Sequence, residues 1–168
     1  MHVNLSAAEL RDPQLVARVC AVLRSTGAAP GNLALEITET ELIGDAVAGA
    51  ARFKELRSLG IRMALDDFGT GYSSLSYLHS LPLDTLKIAK PFVDGLTSGG
   101  RDAGFIGVIV DLARRLELDV IAEGIETQVQ LRALRELDVA FGQGFAVGRP
   151  EPPRDGRFRR RTAVESTR

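Results

Sequence analysis

The sequence predicts an α/β fold on a parallel sheet, an incomplete (β/α) barrel of about six βα units. Three observations carry that prediction. Short β-prone apolar segments alternate with amphipathic helix-prone ones six times along 168 residues. Polar or charged residues recur at or near the carboxyl ends of the predicted strands, where parallel α/β folds gather ligand groups. The stretch after the first strand, Asn4-Leu5-Ser6-Ala7-Ala8, has no glycine, whereas a doubly wound sheet favours a glycine-rich phosphate loop there. Eight units need about 200 to 250 residues, so the chain is short for a closed barrel.

Val3-Asn4-Leu5-Ser6 is the first strand segment. Asp12-Pro13 is expected to open a helix, because Asp caps and Pro is tolerated in the first turn. Leu15, Val16, Val19, Val22 and Leu23 form its apolar face, with Cys20 among them, and Gly27 ends it. Leu33 to Glu39 reads as the second strand, followed by a helix from about Asp45 to Leu59 that stops at Gly60. The third strand runs through Met63-Ala64-Leu65 and is expected to end at Asp66-Asp67, before the turn residues Gly69 and Gly71. A helix through Leu75 and Leu78 to about Ser80 breaks at Leu81-Pro82. Thr85 to Ala89 is a strand, Ser98-Gly99-Gly100 a loop, and Asp102 to Leu116 a strong helix. Asp119 to Gly124 is a strand, Thr127 caps the next helix, and a short strand lies around Phe141 to Phe145.

Composition narrows the function classes. A formal net charge of −1 gives no global case for a nucleic-acid polymer or an anionic membrane as partner. One cysteine, Cys20, cannot form a disulfide within the chain and reads as a core residue in a reducing compartment. No apolar segment approaches the ~20 residues of a membrane span, and residues 1–20 lack a signal-peptide layout. A soluble, cytoplasmic domain is the expectation. Arg154 to Arg168 holds six arginines around few apolar residues and reads as a basic, disordered tail over 153–168. His2 and His79 match no metal-ligand spacing and read as core or surface residues.

The chemistry-bearing stretch is Ala64 to Ser74, which delivers two adjacent carboxylates and then a loop with two glycines. Adjacent acids repel unless a positive group lies between them, and Asp oxygens are hard ligands suited to Mg²⁺, Mn²⁺ or Ca²⁺. By itself the pair could equally be a solvated turn. Asp67-Phe68-Gly69 also matches the metal-binding triplet of protein kinases, but the His-Arg-Asp and Val-Ala-Ile-Lys segments that such a reading needs do not occur. The wider pattern favours a site: Asn4, Glu36, Asp66 with Asp67, Lys87, Glu123 and Gln143 fall at or near six successive strand ends. Such groups in apolar strands are costly unless paired or metal-bound.

These motifs resemble the EAL domain family, bacterial phosphodiesterases of cyclic di-GMP. Val3-Asn4-Leu5-Ser6, Leu35 to Glu39, Leu65 to Ser74, Leu86-Lys87-Ile88, Ala122 to Thr127, Gln143-Gly144-Phe145 and Arg149-Pro150 look like its signature blocks in order, covering about residues 3–152. The resemblance implies a modified TIM barrel in which the first two strands, with the Glu-Ala-Leu motif itself, are missing. It implies two Mg²⁺ or Mn²⁺ ions held by Asn4, Glu36, Asp66 and Asp67, with Asp66 bridging. Glu123 then serves the second metal's water shell or acts as general base, and Lys87 orients the attacking water. Asp67 carries a catalytic role beside its metal. Glu39 corresponds to a brace for the loop after Asp67, Glu126 to an anchor for the loop after Glu123, and Gln143 to the site wall. The implied reaction is hydrolysis of cyclic di-GMP to the linear dinucleotide. Implied partners are the nucleotide and upstream sensory or GGDEF-type domains in a longer parent; the uncovered sheet edges of a six-strand barrel invite homodimer pairing.

Departures from the family pattern support an alternative, a catalytically impaired module that binds cyclic di-GMP or a protein partner without turnover. One metal-ligand Glu is missing with the first strands, and Ala89 stands where the family usually has Asp. Pro91 replaces a usual Ser and Phe145 a usual Tyr.

Overall fold

The computed structural model describes residues 1–43, 46–71, 78, 80–97 and 100–150. The expected tail over 153–168, His79, the loop residues Ser98 and Gly99, and most of the helix expected up to Ser80 lie outside them. The chain divides into two compact units, Met1–Leu86 and Lys87–Arg168.

In the first unit, β1 (His2–Asn4), β2 (Ala34–Thr38) and β3 (Arg62–Phe68) lie side by side and parallel. Asn4 registers with Glu36, and Thr38 with Asp66. Leu35, Ile37, Met63 and Leu65 are buried. α4 (Ala46–Ser58) packs on β3 and contributes the fully buried Phe53 and Leu56. The Asp84 amide donates to Met63 O at 2.9 Å, and its carboxylate accepts from the Met63 amide at 2.9 Å.

Two short helices differ from the expectation, and both have the same cause. α1 (Ala7–Arg11) begins at Ser6, whose hydroxyl accepts from the Glu9 amide while the Glu9 carboxylate accepts from the Ser6 amide. α3 (Glu39–Ile43) begins after Thr38, where Thr38 and Glu41 exchange the same pair of bonds. Each is a reciprocal cap that satisfies amides left over at a helix start. α2 (Leu15–Thr26) therefore starts two residues later than Asp12-Pro13 suggested, and the Asp12 carboxylate instead accepts from the Gln14 amide at 2.8 Å. Only Leu15 of α2 is fully buried; Cys20, expected in the core, is half-buried, and Val22 is exposed.

β4 (Thr85–Ile88) spans the boundary between the units. In the second unit, the Glu123 amide donates to Ile88 O at 3.1 Å, beside β5 (Asp119–Ala122). β6 (Phe141–Gly142) pairs parallel with β5. α5 (Lys90–Gly95), not anticipated, follows Ala89 directly, with a proline in its first turn. α6 (Gly100–Arg115) buries Ile106, Ile109, Val110 and Ala113 and packs on α5 and β5. α7 (Gln128–Glu136) carries the expected Thr127 cap as a full capping box with Gln130. Among the described residues, no helix is long and apolar enough to cross a membrane.

Candidate functional site

In the first unit, pairing register sets one face. Side chains alternate along a strand, and parallel partners point the same way. Asn4, Glu36, Thr38 and Asp66 therefore share a face. Their chemistry is uniform: an amide, a hydroxyl and two carboxylates, all offering the hard oxygens that Mg²⁺ or Mn²⁺ take. Glu36 is 6% exposed and lies two residues before the end of β2. The His2 imidazole Nδ1 meets Glu36 Oε1.

β3 does not stop at the acids but continues to Phe68. Asp67 has φ +53°, in the left-handed region that side chains other than Asn, Asp and Gly seldom enter. Its amide donates to Asp66 Oδ1 at 2.9 Å, and its carbonyl accepts from the Thr70 hydroxyl at 2.8 Å. The Glu39 carboxylate, 1% exposed, lies under the following loop: Oε2 accepts from the Gly69 amide at 2.9 Å and the Gly71 amide at 3.3 Å. A Cβ on Gly71 would lie 3.0 Å from the Glu39 carboxyl group, a tight contact that the Glu39 side chain would have to shift to relieve.

In the second unit, Lys87 from β4 is 4% exposed and its Nζ lies 2.5 Å from Glu123 Oε1. Gln143 donates to the same oxygen at 2.6 Å. Strand pairing positions the three, since the Gln143 amide donates to Ala122 O just as the Glu123 amide donates to Ile88 O. Glu126 lies 3.1 Å from Lys90 Nζ, which also donates to both Asp94 oxygens at 2.8 Å. Hydrogen bonds to Asp94, and then to Glu126, hold the Lys90 ammonium above its usual pKa. Gln130 Oε1 accepts from the Glu126 and Thr127 amides, tying this loop to the start of α7.

In the first unit Asn4, Glu36 and Asp66 share a face, Asp67 follows in the chain and Glu39 lies under the next loop; in the second Lys87 and Gln143 meet at Glu123, whereas Glu126 pairs with Lys90. Sequence reasoning missed three participants: His2, Lys90 and Gln130. The last was legible as Thr127-x-x-Gln130, a capping-box signature. His2 was legible only through its spacing of two from Asn4, which puts both on one strand face.

The EAL domain family model matches residues 1–150. The bifunctional diguanylate cyclase/cyclic di-GMP phosphodiesterase MucR of Pseudomonas aeruginosa is 41% identical over 150 residues, 89% of this chain and 22% of that protein. Among solved structures, the PaMucR phosphodiesterase in complex with c-di-GMP superposes with a TM-score of 0.85 at 41% identity, covering 90% of this chain and 61% of that one. A manganese and c-di-GMP complex of Klebsiella pneumoniae BlrP1 gives 0.84 at 31% identity, covering 89% and 38%. The chain spans about a fifth of the length of the curated relatives it matches.

Proposed function

Because the chain belongs to the EAL domain family, with an α/β fold of TIM-barrel type, we propose that its complete parent protein hydrolyses cyclic di-GMP to the linear dinucleotide in a metal-dependent reaction. The observation that carries this reading is the register that brings Asn4, Glu36 and Asp66 onto one face as hard-oxygen donors, with Asp67 next in the chain. This donor set fits a pair of Mg²⁺ or Mn²⁺ ions, which Asn4, Glu36, Asp66 and Asp67 would hold. When bound, such ions supply Lewis-acid activation of water and neutralisation of phosphoryl charge.

The chain's own residues have separate tasks in this scheme. Glu123 accepts a proton from the attacking water or holds that water in line. Lys87, buried beside Glu123, is kept in one place and offsets charge developing on the phosphoryl oxygens. Gln143 fixes the Glu123 carboxylate by the bond to Oε1. Glu39 braces the loop that follows Asp67, and Glu126, tied to Lys90, anchors the loop that follows Glu123.

A second reading, binding without turnover, is favoured by Ala89, a fully buried methyl group where family members usually carry Asp. Such a side chain can neither ligate nor hold charge. Incubating the complete parent protein, and in parallel the chain alone, with c-di-GMP and Mn²⁺, then separating products by chromatography, tests the two readings. The expected result is linear dinucleotide, abolished by Asp66→Ala. Folded chain that binds the nucleotide and yields no product would establish the second reading for these residues.

A further inference from the structure

We propose that His2 is a positioning residue for Glu36, holding one carboxylate oxygen and so fixing the side chain that would ligate a divalent cation. The inference rests on the metal site proposed above and adds to it a residue with no ligand role there.

Register supplies the geometry. His2 pairs with Ala34 and Asn4 with Glu36, so His2 and Asn4 share the face that Glu36 occupies, and His2 sits diagonally across from it. The His2 imidazole closes that diagonal, Nδ1 against Glu36 Oε1. An ionised carboxylate only accepts, so Nδ1 carries the proton and donates. The Glu36 side chain is 7% exposed and that of His2 32%, so the contact joins a buried carboxylate to a partly exposed imidazole.

A metal-ligating carboxylate is typically held by an outer hydrogen bond, which fixes its rotamer before the ion arrives. Glu36 lies in mid-strand and needs such a partner, because a buried carboxylate is costly without one.

The test is Mn²⁺ binding to the chain, measured by calorimetry with the nucleotide absent, for wild type, Asp66→Ala, His2→Phe and His2→Asn. Phe keeps a ring and loses the donor; Asn places an amide nitrogen near the position of Nδ1. The expected result is Mn²⁺ affinity about 10- to 100-fold weaker for His2→Phe, recovered in large part by His2→Asn, with both variants folded by circular dichroism at the temperature of the titration. Wild-type affinity in His2→Phe overturns the role of His2 and leaves the metal site standing. Wild type that binds no better than Asp66→Ala overturns the metal site, and the role of His2 with it. If His2→Phe does not fold, His2→Asn against His2→Gln decides, because the longer amide reaches past Nδ1. Equal affinities for those two overturn the proposal.

Discussion

Replacing Glu39 is the sharpest stability test of the loop after Asp67. Its carboxylate takes two amide hydrogen bonds, from Gly69 at 2.9 Å and Gly71 at 3.3 Å, and is 1% exposed. A hydrogen bond to a charged acceptor contributes about 1.5 to 3 kcal/mol. Taking the lower figure because both amides are only partly sheltered, Glu39→Ala forfeits about 3 kcal/mol. Against that, Glu39 Oε1 is buried with no hydrogen-bond partner among the described residues, and deleting it returns about 1 kcal/mol. The expected net loss is about 2 kcal/mol, or about 4 to 8 °C in Tm for a domain of this size. Glu39→Gln keeps one acceptor oxygen for both amides and should recover at least half of the loss. Urea unfolding of wild type and both variants, followed by circular dichroism, measures it. Unchanged stability in Glu39→Ala would refute the brace, and a Gln variant as weak as Ala would refute the assignment of both bonds to one oxygen.

Other outcomes follow from geometry elsewhere. Gly144→Ala should destabilise by at least about 1 to 3 kcal/mol, because its Cβ would lie 2.2 Å from the Ile125 amide nitrogen and its φ of +151° disfavours side chains; thermal melting reads it. Ser6→Ala should cost about 1 kcal/mol through loss of the α1 cap, seen in denaturant midpoints. Hydrogen bonds from the Ser6 hydroxyl and amide lower the Glu9 pKa. The stability this contributes is present above the unfolded-state pKa and is lost as pH falls through the folded value, so Glu9→Ala should flatten the acid limb of stability against pH. Lys90 has the opposite sign. Its raised pKa, due first to Asp94 and then to Glu126, stabilises below the unfolded-state value and fades as pH rises through the folded one. Lys90→Met should therefore flatten the alkaline limb of the same profile.

Most of the architecture was legible in the sequence because hydrophobic period and glycine stops coincide along the chain. Gly27 and Gly60 both take positive φ where the reading ends helices. What escaped were helices too short for an apolar period, set by caps alone. Ser6-x-x-Glu9 and Thr38-x-x-Glu41 each carry the reciprocal signature, but each directly follows a strand segment whose apolar alternation masks it. The second matters for the site, since α3 begins at Glu39 and thereby turns a predicted strand residue into one that reaches the Gly69 and Gly71 amides. Cys20 and Val22 show the converse limit. An apolar stripe states which face of a helix is to be covered, but not how much covers it within this chain, and here α2 keeps much of that stripe in contact with solvent. The partners of Glu36 and Glu126 were hidden for another reason: His2 meets Glu36 across strand register and Lys90 reaches Glu126 from the start of α5, and pairing over 34 or 36 positions is not written in local spacing, which for His2 shows only the face it shares with Asn4.

The backbone at Asp67 also governs how its chemistry can be probed. At φ +53°, alanine lacks the local side-chain hydrogen bonding that lets Asp enter this region, so part of the roughly 1 to 2 kcal/mol left-handed cost is added to the loss of the carboxylate. An inactive Asp67→Ala protein would thus confound a missing functional group with a displaced loop. Asparagine tolerates the same conformation and differs only in charge and donor pattern, while glycine removes the side chain without the penalty. Comparing Asp67→Asn with Asp67→Gly separates the two effects, which makes this torsion angle a built-in control for any mutational dissection of the carboxylate pair.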